Sequence, residues 1–447
     1  MKHLLTKSRI AAYTLLVLSA GVYFLLAYKT PRTDFTQLLL LYTFAFAAYL
    51  YVANYKLNIW HSIAAAMVFR LIFIVAEPAL SDDYFRFIWD GRLLAAGINP
   101  YAHIPTYFIQ PGALQVAGIT TEVYKQLNSQ QYFSVYPPVS QGVFWLAAKL
   151  SPESIMGSVV VIRFVLILAE LGSILLLLRL LRKMGLPEKH LLLYALNPLV
   201  IIELTGNLHF EALMIFFVLL ALHQLFYQRI LVSGVAIGMA VGTKLLPLMF
   251  LPFLLRKLGS LRFIVFTAAM GVTLFFLFYP LVTYEQLINM WQSVDLYFHR
   301  FEFNASIYYL LRWIGFKLTG YNQIAVLGPV LSMITMIAIF SLASVKRLGS
   351  VRRLAGYMAV ALTLYFFLAT TVHPWYICTI LALTVVSRFR YAVVWSGLAI
   401  LTYAAYRHTP YREDLSLVSL EYALVFLWLA VELYLYRQRR KHANLKE

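Results

Sequence analysis

Apolar stretches long enough to cross a lipid bilayer recur from one end of the chain to the other. This feature limits what the chain can fold into more than any other. They run at 10–28, 36–54, 60–78, 157–181, 190–205, 208–227, 261–281, 323–345, 352–371, 374–387, 391–405 and 417–436. In hydrocarbon every backbone N–H and C=O must find its partner within the protein, so runs of this length become helices. The predicted fold class is all-α, a polytopic bundle of about 11–13 membrane helices. It forms one integral-membrane domain over residues 1–447. Of the 447 residues, 62% are hydrophobic and 13% are charged. That charged share is about half of what a soluble domain uses. A soluble enzyme, a disordered chain and a nucleic-acid binder are thereby excluded.

Two stretches do not fit a simple crossing. Residues 138–150 are short, and 230–255 are broken by Gly242, Pro247 and Pro252 into two half-length helices. With the first segment dipping and the second entering and returning, one topology sorts the charges. Arg182 and Lys183, Arg229, Arg256 and Lys257, Lys346 and Arg347, Arg352 and Arg353, Arg388 and Arg390, and the cluster after Arg437 fall inside. Asp34, Asp82, Asp83, Asp90, Glu122, Glu285, Asp295, Glu302, Glu413 and Asp414 fall outside. The net charge of +18 is thus read as basic cytoplasmic loops rather than a nucleic-acid surface. Lys2, Lys7 and Arg9 precede an apolar run that is read as a retained first helix. Two outer loops are large, 81–137 and 283–322, with amphipathic stretches at 84–96 and 306–316 expected to lie along the membrane interface.

The first loop opens Ser81-Asp82-Asp83-Tyr84-Phe85-Arg86-Phe87-Ile88-Trp89-Asp90-Gly91-Arg92. Adjacent carboxylates repel unless a cation sits beside them. Such a pair serves as a general base or holds a divalent metal; alternatively it caps a helix with a solvated face. On a following helix Asp83, Phe87 and Asp90 would share a face, with Arg86 within a turn of both acids. Asn197-Pro198 precedes Glu203 and Gly206-Asn207-Leu208-His209-Phe210-Glu211, and places ionisable groups at an outer helix junction. Gly234, Gly238 and Gly242 mark a close-packing face. Lys244 follows, and either snorkels or meets a lipid phosphate. Arg70 and Arg163 lie within spans and need partners, for which Glu77 and Glu170 are candidates. His299 and Arg300 are potential phosphate ligands next to Asn304. Thr371-Val372-His373-Pro374-Trp375-Tyr376 joins two spans outside; an aromatic belt accounts for the rings but not for His373. The one cysteine, Cys378, excludes a disulfide framework, and the ten histidines show no metal-ligand spacing.

These motifs, with Gly97-Ile98-Asn99-Pro100-Tyr101, Tyr136-Pro137-Pro138, Lys244 with Pro247, and Phe303-Asn304, carry a family resemblance over roughly residues 80–380. The chain resembles polytopic glycosyltransferases of the GT-C fold that use polyprenyl-phosphate-sugar donors. The likeness is to bacterial mannosyltransferase-like members, and more distantly to the catalytic subunit of GPI mannosyltransferase I. It implies a GT-C helix bundle with interfacial helices in the first outer loop. It implies inverting transfer of a hexose, mannose above others, to a glycolipid or glycan acceptor on the outer face. Asp83 matches the family's catalytic base and Asp82 is the alternative. Asp90, Arg86, Asn207, His209, Glu211, Lys244, His299, Arg300, Asn304 and His373 are the expected substrate-binding residues. The adjacent Asp82-Asp83 replaces the spaced acids of some relatives, which leaves a divalent cation, Mg or Mn, open as a cofactor. The expected partners are the lipid-linked donor, the acceptor and membrane lipids. The expected location is a bacterial inner membrane with a periplasmic active site, the endoplasmic reticulum being the alternative. A polysaccharide polymerase or ligase, and a lipid-linked sugar transporter, are the competing readings.

Overall fold

The computed structural model describes residues 2–55, 57–299, 301–344, 348–387 and 389–444; the side chains of 2–8, 297–299 and 440–444 are not described. Among the described residues the chain is helical, with no strand beyond an isolated bridge between Phe303 and Thr371. Among the described residues, seven helices are long and apolar enough to cross a membrane: Arg9–Tyr28, Phe35–Asn54, Ile155–Lys183, Ser260–Phe278, Ile324–Ser344, Val351–Leu368 and Leu415–Arg439. The chain is a multi-pass membrane protein.

The remaining apolar stretches are shorter or broken. Ile59–Ile72, Ile230–Thr243 and Pro374–Thr384 fall below full spanning length. Tyr391–Leu398 runs on as the 3-10 helix Ala399–Arg407. The stretches around 190–227 do not form two straight spans. A π-helix, Val200–Gly206, meets the helix Glu211–Phe226 at 111°. Pro198 cannot donate a backbone hydrogen bond, and Leu208 adopts a left-handed φ of 63° at the corner. Arg163 collects the exposed carbonyls there: Nε donates to Thr205 at 2.9 Å and the guanidinium NH groups donate to Gly206 at 2.9 Å and Ile74 at 3.0 Å. A break inside the bundle is tolerated because a buried guanidinium satisfies the freed carbonyls. Arg70 instead pairs with Glu170 at 2.7 Å, both side chains fully buried. Neither arginine uses Glu77, which is exposed.

Polar contacts sort the helix ends into two groups. At one end Arg182 pairs with Glu188 at 2.8 Å, His190 lies 3.4 Å from Arg390, and the Arg390 amide donates to Glu432. Arg352 donates to the Val386 carbonyl, Arg256 to Ala343 at 2.8 Å, and Lys257 to Gly349 at 2.7 Å. This is the basic end. The opposite end carries the loops: Asn99 donates to the Leu281 carbonyl at 2.5 Å, Asn289 to Tyr101 at 3.0 Å, and the rings of Tyr132 and Phe301 lie 5.6 Å apart. The two large loops therefore touch.

The two irregular segments each turn back within the bundle. Helix Pro138–Leu150 lies against helix Asp83–Ala95, with Phe87 stacked on Phe144 at 4.7 Å. Its far end returns to the same loop, since Lys149 donates to Ala95 and Arg92 to Glu153. Gly91 permits this approach; a Cβ there would sit 2.3 Å from the Phe144 carbonyl oxygen. The second segment enters and returns. Tyr227, just before it, sits 5.7 Å from the Lys183 ammonium at the basic end. The chain then rises as Ile230–Thr243, turns at Lys244, and descends through Leu246–Phe250 and Leu251–Leu258 to Arg256. The glycine stripe is a packing face: a Cβ at Gly234 would lie 2.4 Å from the Phe266 carbonyl oxygen.

The stretch 84–96, expected to lie along the membrane interface, is a helix whose Tyr84 and every residue from Arg86 to Leu93 are buried within the protein. It packs against Pro138–Leu150 on one side and the Trp89 cluster on the other. Exposed apolar faces occur instead on the second loop, at Tyr284, Leu287, Ile288 and Trp291, and at Leu310, Trp313 and Ile314.

Candidate functional site

The acid pair sits where helix Asp83–Ala95 begins at the loop end. Its two carboxylates have different surroundings. Asp82 pairs with Arg32 at 2.7 Å, and the Arg32 guanidinium lies 4.9 Å above the Tyr406 ring. Asp83 accepts a hydrogen bond from Asn128 at 2.7 Å through Oδ1. Among the described residues no cation pairs with Asp83, and its side chain is only half-buried. Arg32 thus pairs with one acid and, among the described residues, leaves the other without a cation beside it.

A second group assembles below it, at the broken helix. Glu203 accepts from the Tyr403 hydroxyl at 2.6 Å and from Asn207 at 3.2 Å, and lies 3.4 Å from His209 Nε2. Asn207 also accepts from the Leu80 amide at 3.1 Å, which ties this group to the residues entering the acid pair. The His209 ring stacks on Trp375 at 3.6 Å, Trp375 on His373 at 4.3 Å, and His373 on Phe303 at 5.1 Å. This ladder of rings joins the helix junction to the second loop. Burial pushes the His373 imidazole down to about 3, with His209 and Lys244 adding to the effect. It stacks as a neutral ring. Lys244 forms an ion pair with buried Glu211, and its ammonium lies 5.0 Å from the Tyr376 ring centre. Among the described residues, Glu211 Oε2 and His209 Nε2 are buried without hydrogen-bond partners.

The structure therefore brings Asn207, His209, Glu211, Lys244 and His373 together around Glu203 and Trp375, and links them to Asp82 and Asp83 through Leu80 and through Arg32, Tyr406 and Tyr403. Arg86 and Asp90 lie apart from this group. They pair with each other at 2.8 Å; Asp90 also accepts from Gln141 and Ser134, and Arg86 donates to the Ser129 and Tyr132 carbonyls. Both are buried and tie the first loop together. Asn304 is likewise internal: its left-handed φ of 46° lets its amide reach Glu413, its side chain Glu421, and its carbonyl the Tyr422 hydroxyl. Burial raises the Glu413 carboxyl above its ordinary range. Arg300 and the His299 side chain lie outside the described residues.

Asp82 is paired with Arg32, and no group of three or more His, Cys, Asp or Glu side chains converges among the described residues. Reading the sequence alone passed over Arg32, Asn128, Tyr403 and Trp375 as parts of the site. Only the coincidence of an arginine in the short turn before Asp34 with an acid pair at the same membrane face could have suggested Arg32.

The family described as alpha-(1->6)-mannopyranosyltransferase, N-terminal domain, matches residues 14–258, more than half of the 447-residue chain. The match takes in Asp82, Asp83, Glu203, Asn207, His209, Glu211 and Lys244. No curated protein matches the chain.

Proposed function

The chain belongs to the alpha-(1->6)-mannopyranosyltransferase family and is a membrane-bound mannosyltransferase; from this premise we propose the donor, the face and the chemistry. Mannose is transferred from a polyprenyl-phosphate donor to a glycolipid or glycan acceptor at the loop end, on a GT-C type scaffold. The observation that carries the reading is the division of labour in the acid pair: Arg32 holds Asp82 while Asn128 orients a half-exposed Asp83.

Asp83 acts as general base. The acceptor oxygen attacks the anomeric carbon and its proton passes to Asp83. The bond from that carbon to the phosphate oxygen breaks, and its electron pair leaves with the lipid phosphate. Attack opposite the leaving group inverts the anomeric centre, so a β-linked donor yields an α-mannoside, in keeping with the family's description. Lys244, a quarter exposed beside Glu211, is the cation of this cluster that can meet the departing phosphate. No step is assigned to a metal. The loop end faces away from the cytoplasm, since the basic clusters gather at the other end; a bacterial inner membrane fits this arrangement.

The test is transfer from radiolabelled polyprenyl-phosphate mannose in membranes holding the wild type or Asp83→Asn at equal protein level, with and without EDTA. We expect Asp83→Asn to lose about 10²–10⁴-fold in rate and EDTA to change nothing. Undiminished transfer by the variant would remove Asp83 as base, and loss of transfer in EDTA would restore a metal.

A further inference from the structure

A cleft opens between helices Ile324–Ser344 and Val351–Leu368, next to the ring ladder. Two membrane-crossing helices ordinarily meet through apolar side chains; here Ser332, Thr335 and Tyr365 from the two helices, with Thr370, Thr371 and Tyr376 from the segment that follows, line the cleft beside the apolar Leu368 and Ala369. Some of these hydroxyls have internal partners: Thr335 donates to the Leu331 carbonyl and Thr371 to the Phe301 carbonyl, both at 2.9 Å. Ser332 and Tyr365 make no hydrogen bond among the described residues, and neither hydroxyl is sealed from the cleft. A hydroxyl without a partner at membrane depth is costly. Two of them facing one cleft call for a ligand that brings its own donors and acceptors.

The cleft starts at the loop end, where Thr370 and Thr371 meet the second loop, and descends along Gly328 to Thr335, about 10 Å of helix at 1.5 Å per residue. Gly328 offers no side chain to fill it, and Pro329 removes a helical hydrogen bond beside it. Tyr376 lines the inner wall, and the same ring lies 5.0 Å from the Lys244 ammonium. The cleft therefore abuts the candidate site.

We propose that this cleft is a glycan subsite that binds a hexosyl unit of a membrane-borne glycolipid. Hydroxyl side chains match sugar hydroxyls as both donors and acceptors, and Tyr365 and Tyr376 offer aromatic surface to the sugar's C–H face. No cation lines the cleft, so it suits a neutral sugar rather than a phosphate. The sugar class rests on the mannosyltransferase reading above; the sugar belongs either to the acceptor or to the donor.

The experiment uses full-length protein in nanodiscs with octyl α-mannoside as probe, its binding read by intrinsic fluorescence. Wild type and Asp83→Asn should bind alike, Tyr365→Phe more weakly, and Ser332→Leu about tenfold more weakly through lost polar contact and a filled cleft. A thermal midpoint of Ser332→Leu equal to that of wild type shows that it folds; Ser332→Ala replaces it if not. Steady-state transfer then names the source. A raised KM for the glycolipid acceptor assigns the subsite to the acceptor, and a raised KM for polyprenyl-phosphate mannose assigns it to the donor. Absence of saturable binding by the wild type, or binding indifferent to Ser332 and Tyr365, overturns the proposal. Failure of the base is separate: it shows as transfer retained by Asp83→Asn while binding is unchanged.

Discussion

Arg70 and Arg163 meet the same problem, a charge inside an apolar bundle, with different solutions. Arg70 takes a carboxylate, Glu170, and two backbone carbonyls, from Ala66 and Ala195. Arg163 takes three carbonyls at a helix break. Removing one partner of a buried ion pair strands the other, so Arg70→Met should destabilise the protein by about 3–5 kcal/mol. Arg70→Met with Glu170→Met should recover much of this, as read from thermal midpoints in detergent. His373 gives a pH dependence with a definite sign. Its folded value, about 3, lies below the ordinary 6.5. The unfolded chain thus binds a proton in that window which the folded chain does not. The stability from neutral His373 is complete above pH 6.5 and declines as the pH falls toward 3. The thermal midpoint should drop between pH 7 and 4, and His373→Phe should flatten that drop. An unchanged slope in the variant would assign the effect to other groups.

At the scale of elements, close approach and breakage decide the geometry. Helices Asp83–Ala95 and Pro138–Leu150 can stack Phe87 on Phe144 only because residue 91 has no Cβ. Gly91→Val should force them apart at a cost of about 1–3 kcal/mol, with a lowered thermal midpoint and lost transfer, since Asp83 starts one of these helices. The same helix shows where pattern reading fails. Its sequence reads as amphipathic, yet its polar residues Arg86 and Asp90 are buried as a pair with Ser134 and Gln141. A polar face that is internally satisfied cannot be told from a solvated one by periodicity. The break in the hairpin was legible: Pro247 and Pro252 fall in its returning helical arm.

At the scale of the whole molecule, the basic clusters collect at one end and the two large loops at the other. In intact cells, an impermeant maleimide should label Gln110→Cys, on the first loop, and not Lys189→Cys, at the basic end. The reverse pattern would invert the topology and place the acid pair in the cytoplasm. The membrane character, the sorting of charge and the acid pair were all legible in the chain, because hydrophobic burial and loop charge add up over neighbouring residues and need no knowledge of distant ones. The roles of individual polar residues were not. Which carboxylate stays unpaired was decided by Arg32, which comes from a different turn. That Asn304 turns inward was decided by Glu421, 117 residues away. The hydroxyl-lined cleft exists only because two helices meet there. Each of these contacts is short in range, so only the packed bundle, which brings distant segments within a few ångströms, selects among the partners the sequence offers.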